Sequence, residues 1–354
     1  MSMTKTNRLL IVGQGLAGTV LHFTLLQRGV HADIIDCDSP GKASSASAGI
    51  INPITGPKYN KSWNYDGLKH VFEPFYESLN SFLGTKVFNP MRMYRKLGDV
   101  QQVNRWAYQS EQEVNNTCYG SFSTIPPEYG NDAPGEAWAE VHEAYRLDFR
   151  QVFTLYREKL RAMGLFRGET FTYDSLTLEH DRPIYNGIEY DKVTFCEGYL
   201  VANNPYFNYL PVIPAKGDAL IIEKSLPNNF MAKRTGMAVN WDGSHIWYGA
   251  TLNRNFSSTE PDITDFKNLS SWYAEDFGEV ARVANHLSGI RPTSRDRRPL
   301  IGIHPDFPML AILNGLGTKG TSLAPLMAKY LVENMVDGKE IPNEVNINRV
   351  SPES

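Results

Sequence analysis

The sequence predicts an α/β fold in two lobes: one on a parallel sheet, and an α+β part built on an antiparallel sheet. Three observations predict it. Within residues 8–36, an apolar strand runs into a glycine-rich turn, a helix and a second strand that ends in an acid. A second glycine-rich turn into a helix stands near the other end of the chain, at 314–325. Between them, residues 213–285 alternate short β-like runs (219–222, 237–241, 246–250) with turn residues such as Asp242-Gly243, the pattern of an antiparallel sheet. A length of 354 residues suits two lobes better than one core.

The first unit opens with Arg8–Val12, RLLIV, an apolar run suited to a buried parallel strand. Gly13-Gln14-Gly15-Leu16-Ala17-Gly18 follows at once. The helix after it sets Leu16, Val20 and Phe23 on one stripe, with Ala17, Leu21, Thr24 and Leu25 beside it. Gly29 stands at the C-cap position, and His31–Asp36 is the second strand. Gly13 permits the tight turn, Gly15 lets a pyrophosphate approach the backbone, and Gly18 lets helix and strand pack closely. The N–H groups of the first helical turn then face the phosphates, aided by the positive helix end. Asp36 is placed to accept from ribose hydroxyls and to repel the 2′-phosphate of NADP. This unit alone does not choose between FAD and NAD.

Two further segments bear on that choice. Ala43–Ile51, ASSASAGII, is rich in small and hydroxyl residues. Such a run passes close to a flat cofactor and bonds its phosphate and ribityl oxygens, or forms a small-residue helix packed on the sheet. The C-terminal stretch holds SGIRP (288–292), RDRRPLIG (295–302), an apolar strand MLAIL (309–313) and the turn NGLGTKGTSLAP (314–325). The helix after that turn has an apolar face of Leu323, Leu326, Met327, Tyr330 and Leu331. Its positive end either meets the negative N1–C2=O edge of a reduced flavin or is a plain cap.

Taken together, GxGxxG with Asp36, SSASAGI, GIRP…RPLIG and NGLGTKGTSLAP resemble the D-amino-acid oxidase superfamily of FAD-dependent oxidoreductases, which includes glycine and sarcosine oxidases. Looser matches are Leu147-Asp148-Phe149, opening an amphipathic helix with Asp148 as N-cap, then TFCEG (194–198), Pro214–Gly217 and WYGAT (247–251). YGATLNRNFSSTEPD and NGLGTKGTSLAP look closest to the oxidase half of the bifunctional enzymes that trim carboxymethylaminomethyl groups on the tRNA wobble uridine.

The resemblance implies a Rossmann-like FAD-binding domain of glutathione-reductase type from 1–85, 146–212 and 286–354. It would be interleaved with a substrate domain from 86–145 and 213–285. It implies that FAD touches Gly13, Gln14, Gly15, Leu16, Ala17, Gly18, Asp36, Cys37, Ala43, Ser44, Ser45, Ser47, Gly49, Ile50, Phe171, Cys196, Glu197, Gly198, Gly317, Thr318, Lys319, Gly320 and Thr321. Non-covalent FAD is expected, because 288–325 holds no cysteine. An amine substrate would lie against the flavin ring and pass a hydride to N5, with O2 or another acceptor reoxidising the flavin. Arg291 of GIRP takes the family's carboxylate-anchoring position and is the leading candidate for holding a substrate carboxylate, the alternative being a surface or lobe–lobe salt bridge. Lys319 would set a cation at the flavin N1–C2=O edge, or be a solvated loop lysine. The strand tyrosine of glycine oxidases is replaced near Met237. The usual Ala-x-Gly is Cys196-Glu197-Gly198 here, so Glu197 is either an exposed turn residue or a neighbour of the flavin.

Composition narrows the partners. A net charge of −4 argues against dedicated nucleic-acid binding, leaving tRNA open. Three separated cysteines without CxxC, and eight histidines without HExxH, argue against a disulfide framework or a metal site. The start MSMTKTNRLLIVG lacks the h-region of a signal peptide, and no uncharged run approaches the ~20 apolar residues of a membrane span, so a cytoplasmic protein without a membrane partner is expected. The many aromatics of 57–145 either roof a site or pack a core, and packing is favoured. The leading reading is FAD-dependent oxidation of the C–N bond of a small amine or amino acid. The alternatives are the same chemistry on a modified tRNA nucleoside, a flavoprotein monooxygenase, and a nucleotide-binding scaffold without turnover. The oligomeric state is not encoded in any of these patterns.

Overall fold

The computed structural model describes residues 8–112, 117–123, 129, 137–179 and 182–350. The leader reading, resting largely on residues 1–7, falls mostly outside them. Two large sheets organise the chain. The first has six strands in the order Leu300–Ile303, Leu310–Asn314, Lys192–Phe195, Arg8–Val12, His31–Ile35, Phe166–Arg167. Its neighbours are parallel except Leu300–Ile303 with Leu310–Asn314. The near-continuous apolar runs are explained by burial on both faces: Leu10, Ile11, Ile34, Val193, Phe195, Leu310 and Ile312 are all inaccessible.

Helices Leu16–Gln27 and Gly320–Asp337 pack against each other and on this sheet. The first ends where Gly29 takes φ +69°, as its C-cap position requires. Helix Phe149–Ala162 starts at Asp148, whose carboxylate accepts from Gln151 N–H, and buries Val152, Tyr156 and Leu160 along one stripe.

The second sheet has nine strands. Its path runs Val283–Ser294, Val212–Glu223, His245–Gly249, Met237–Asn240, Phe230–Lys233, Phe88–Leu97, Ala137–Leu147, Ile50–Ile51, with Tyr119–Ser123 paired beside Ala137–Leu147. All pairs are antiparallel except Phe230–Lys233 with Phe88–Leu97. The expected boundary at 285/286 falls inside Val283–Ser294, which is laddered to Val212–Glu223 nearly end to end. The GIRP segment therefore belongs to the antiparallel sheet. The boundary at 145/146 likewise cuts Ala137–Leu147.

Most of the described aromatics of 57–145 pack the interior, whereas Tyr108 and Phe122 are exposed. Tyr65, Phe72, Tyr76, Phe88, Trp106 and Trp138 are fully buried, and Phe88 stacks on Tyr145 at 5.2 Å. Among the described residues no helix is long and apolar enough to cross a membrane.

Candidate active site

A cavity of about 780 Å³ lies between the carboxyl ends of the parallel strands and one face of the nine-stranded sheet. That volume falls in the usual range of roughly 300–1,000 Å³ for cofactor and ligand sites. Its position outside the carboxyl ends of an open parallel sheet is where such folds bind ligands.

One end is built by the first βαβ unit. Gly13, Gly15, Leu16 and Ala17 line it, as do Asp36 and Cys37. Gly13 has φ +101°, and a Cβ there would stand 2.6 Å from the Cys196 carbonyl oxygen. A Cβ on Gly18 would meet the Gly13 carbonyl oxygen at 1.9 Å, so Gly18 is a packing residue and does not line the cavity. Gln14 also stays outside it: its N–H donates to Asp36 at 2.9 Å, and its side chain accepts from Arg157 Nε at 2.7 Å. Leu16 N–H donates to Ser44 Oγ at 3.1 Å, which ties the helix N-terminus to the serine run.

The Asp36 carboxylate carries more than the Gln14 contact. It receives Lys42 Nζ at 2.6 Å and Arg157 Nη2 at 3.0 Å, with its own side chain only 4% exposed. Neither cation was singled out from sequence. Lys42 directly precedes the small-residue run, which is the one local hint. Arg157 comes from a helix far along the chain, and no local signal marks it.

The middle of the cavity is walled by Ala43, Ser44, Ser47 and Ile50 on one side and by Phe171, Cys196, Glu197 and Gly198 on another. The serine run is a short helix, Ala43–Ala46, followed by strand Ile50–Ile51. Ser45 faces a smaller cleft with Lys42, Arg150, Arg157 and Arg161 instead. Gly49 is packed on the Leu147 carbonyl and does not line the cavity. Phe171 stacks on Tyr185 at 4.5 Å. Glu197 accepts from Tyr173 Oη at 2.5 Å and from Asn204 Nδ2 at 2.7 Å. Burial raises its pKa, and those two donors oppose the rise. Both oxygens are thus committed within the protein, and the residue is not an exposed turn acid.

The far end is made by Leu316, Gly317, Thr318, Gly320 and Thr321 at the start of helix Gly320–Asp337, and by the sheet residues Gly217, Met237, Trp247, Gly249, Thr251 and Arg291. Lys319 is not among the lining residues. Burial, then the charges of Arg298 and Arg297, lower its pKa. The Arg291 guanidinium lies over Gly217, where a Cβ would come within 2.2 Å of Nη1. Nη1 donates to the Thr251 carbonyl at 3.2 Å, and burial lowers the Arg291 pKa against the raising charge of Asp218. Among the described residues no carboxylate stands within 4.0 Å of Arg291, so the salt-bridge alternative has no partner.

These residues fit FAD. Gly13 and Gly15 leave a cradle that a side chain would fill, a helix N-terminus opens at each end, and an acid stands where an adenosine ribose would lie. The cavity is long and lined from both ends of the chain, which the first unit alone would not need.

Fold and cavity together define a flavin-dependent oxidoreductase. The profile of the "FAD dependent oxidoreductase" (DAO) family matches residues 8–334, and the chain belongs to that family. It is similar to the glycine oxidase of Pseudomonas aeruginosa, 23% identical over 95% of this chain and 96% of that protein. It is also similar to the tRNA 5-methylaminomethyl-2-thiouridine biosynthesis bifunctional protein MnmC of Idiomarina loihiensis, 22% identical over 91% of this chain but 54% of that protein. Among solved structures, iminodiacetate oxidase (IdaA) from Chelativorans sp. BNC1 superposes with a TM-score of 0.77 at 21% identity, over 98% of this chain and 99% of that one. The chain is thus an FAD-dependent enzyme, as the motifs at its two ends imply.

Proposed function

We propose that the chain oxidises the C–N bond of a small amine or amino acid, with Arg291 anchoring a substrate carboxylate. The observation that carries this is the Arg291 guanidinium, turned over bare Gly217 at the cavity wall with the Thr251 carbonyl as a partner and, among the described residues, no acid within 4.0 Å. A planar fork held this way offers two further N–H groups to an anion, which is the geometry of bidentate carboxylate binding.

Gly13 to Leu16, Asp36, Lys42 and Ser44 would hold the pyrophosphate and ribose, and Gly317 to Thr321 the isoalloxazine edge. In this reading the six-stranded sheet is the cofactor domain and the nine-stranded sheet the substrate domain. Bound FAD supplies the acceptor for a hydride from the carbon bearing nitrogen. The chain's own residues orient and dry the site. Trp247 Nε1 donates to the Ala46 carbonyl at 2.8 Å, strapping the substrate sheet to the cofactor-side helix. Met237, Trp247, Ile50 and Ile290 give the cavity apolar walls. The nitrogen lone pair closes the C=N bond as hydride leaves, its proton passes to solvent, and the imine hydrolyses after release.

The test is a visible spectrum of the purified protein, then an anaerobic screen of amines and amino acids for flavin bleaching. Arg291→Ala should raise KM for any bleaching carboxylate substrate by about tenfold or more, with a smaller loss in kcat. An unchanged KM would overturn the anchoring role. Failure of any amine to bleach a flavin that dithionite reduces would overturn the reaction class.

A further inference from the structure

The cavity-facing side of the nine-stranded sheet carries more positive charge than one carboxylate requires. Strand registers set Arg95, Lys233, Met237, Gly249 and Ala219 in a single row across five strands. Directly paired residues share a face, so the row lies on one side of the sheet. Arg291 pairs with Ala215, which alternates with Gly217 and Ala219 onto that same side. Arg95, Lys233 and Arg291 all line the cavity.

None of the three has an acidic partner within 4.0 Å among the described residues. Arg95 donates to the carbonyls of Ile54 at 3.4 Å and Gly56 at 3.2 Å, and its guanidinium lies 4.6 Å from the Tyr59 ring centroid. Lys233 Nζ donates to the Thr235 carbonyl at 2.6 Å. The charge of Asp276 acts on Lys233, but its oxygens are taken by Tyr248 Oη at 2.5 Å and by the N–H groups of Gly236 and Thr235. Burial, then the charge of Arg95, pulls Lys233 down to about 8. Two partly buried like charges without an acid are unfavourable until an anion joins them.

The cofactor does not supply that anion. In the proposed reading its phosphates lie at the opposite end, where Lys42 and Arg157 already stand. The Arg291 guanidinium over Gly217 and the Lys233 ammonium are each pinned by a carbonyl, with strands His245–Gly249 and Met237–Asn240 between the strands of Gly217 and Lys233. We propose that the substrate is a dianionic amine, its first acid group held by Arg291 and its second by Lys233 with Arg95. This rests on the reading of Arg291 as the anchor. It assigns specificity to residues that no motif marks, and it names a substrate class: an amine carrying a carboxylate plus a second carboxylate or a phosphate.

The experiment uses the full-length, FAD-loaded protein and reads ligand binding by flavin absorbance perturbation and by calorimetry. The probes are propionate against malonate, succinate and glutarate, with 3-phosphonopropionate to separate a phosphate-type second anion from a carboxylate. At pH 7 the best diacid should bind at least about tenfold more tightly than propionate, the scale of one charge-assisted hydrogen bond. Lys233→Met should bring that ratio to within about twofold of one, while Lys233→Arg keeps the preference. Lys233→Gln and Arg95→Gln give the same reading should the methionine variant lose flavin. A wild-type protein that binds no diacid better than propionate overturns the proposal, as does a preference that survives both the Lys233 and Arg95 neutral variants. Propionate binding that is insensitive to Arg291→Ala overturns the anchor instead, so the two failures are distinguishable. If neither kind of acid binds, both fall.

Discussion

Replacing Asp36 by asparagine separates two roles of one carboxylate. In the ligand-free chain this group, 4% exposed, neutralises Lys42 and Arg157, whose side chains are 21% and 20% exposed. Asparagine keeps an oxygen for the Gln14 N–H but turns two charge-assisted bonds into bonds to a neutral acceptor. Each such change costs about 1 kcal/mol, and partial solvation of the two cations keeps the total near 2 kcal/mol. For a chain of this size that is a fall in Tm of about 2–5 °C. FAD loses a charged acceptor for its ribose, which should weaken binding by roughly 10- to 30-fold. Thermal unfolding of the FAD-stripped protein reads the first effect, and quenching of FAD fluorescence on titration reads the second. A double-mutant cycle with Arg157→Met should return a coupling of about 1 kcal/mol. If Asp36→Asn melts with the wild type and binds FAD within twofold, the acid has neither role and the adenosine end is misplaced.

Other perturbations follow from the same geometry. Gly13→Ala drives a methyl onto the Cys196 carbonyl oxygen, 2.6 Å away, at φ +101°; a loss of about 2–4 kcal/mol is expected in urea unfolding, and an unchanged midpoint would show that the turn relaxes freely. His22 is buried with its pKa lowered to about 4, between Tyr156 Oη at 2.6 Å and the Ala32 carbonyl at 3.1 Å. The unfolded chain therefore takes up a proton first as pH falls from 6.5 toward 4, and stability should drop by about 2–3 kcal/mol over that window; a flat profile there would contradict the burial. Lys233 runs the same way at higher pH: between about 8 and 10.5 the unfolded chain binds the extra proton, so ligand-free stability should rise with pH across that window. Lys233→Met should abolish the rise and stabilise the protein at pH 7 by on the order of 1–3 kcal/mol, and a destabilised variant would mean the ammonium is well accommodated.

The parallel sheet and its glycine turns were legible because their chemistry is local. Apolar runs, a turn that tolerates no Cβ and an acid at a strand end all sit within a few dozen residues. The antiparallel sheet was legible in kind but not in extent. Its strands at 50–51, 88–97 and 137–147 meet those of 212–249 only in space, and nothing within 283–294 says that SGIRP will ladder to 212–223. The cavity's charges divide likewise. Arg291 carries a motif, whereas Lys42, Arg157, Arg95 and Lys233 acquire meaning only from what folds against them. Lys319 differs from its neighbours in sequence, which line the cavity while it does not.

The strand order of the nine-stranded sheet has a consequence for how this enzyme is made. In it, five adjacent strands come from the unbroken stretch 212–294, and the pairing of Phe230–Lys233 with Phe88–Leu97 joins them to strands drawn from 50–147. The six-stranded sheet is closed only by Leu300–Ile303 and Leu310–Asn314. A ribosome-bound chain short of those residues leaves the edge of Lys192–Phe195 unpaired, although every strand of the nine-stranded sheet has been made. Completion of the six-stranded sheet is therefore expected only near the end of synthesis and, with its distant pairings, should be slow. Production should depend on chaperone capacity and on riboflavin supply during expression, and cutting the gene at either domain boundary should yield insoluble fragments.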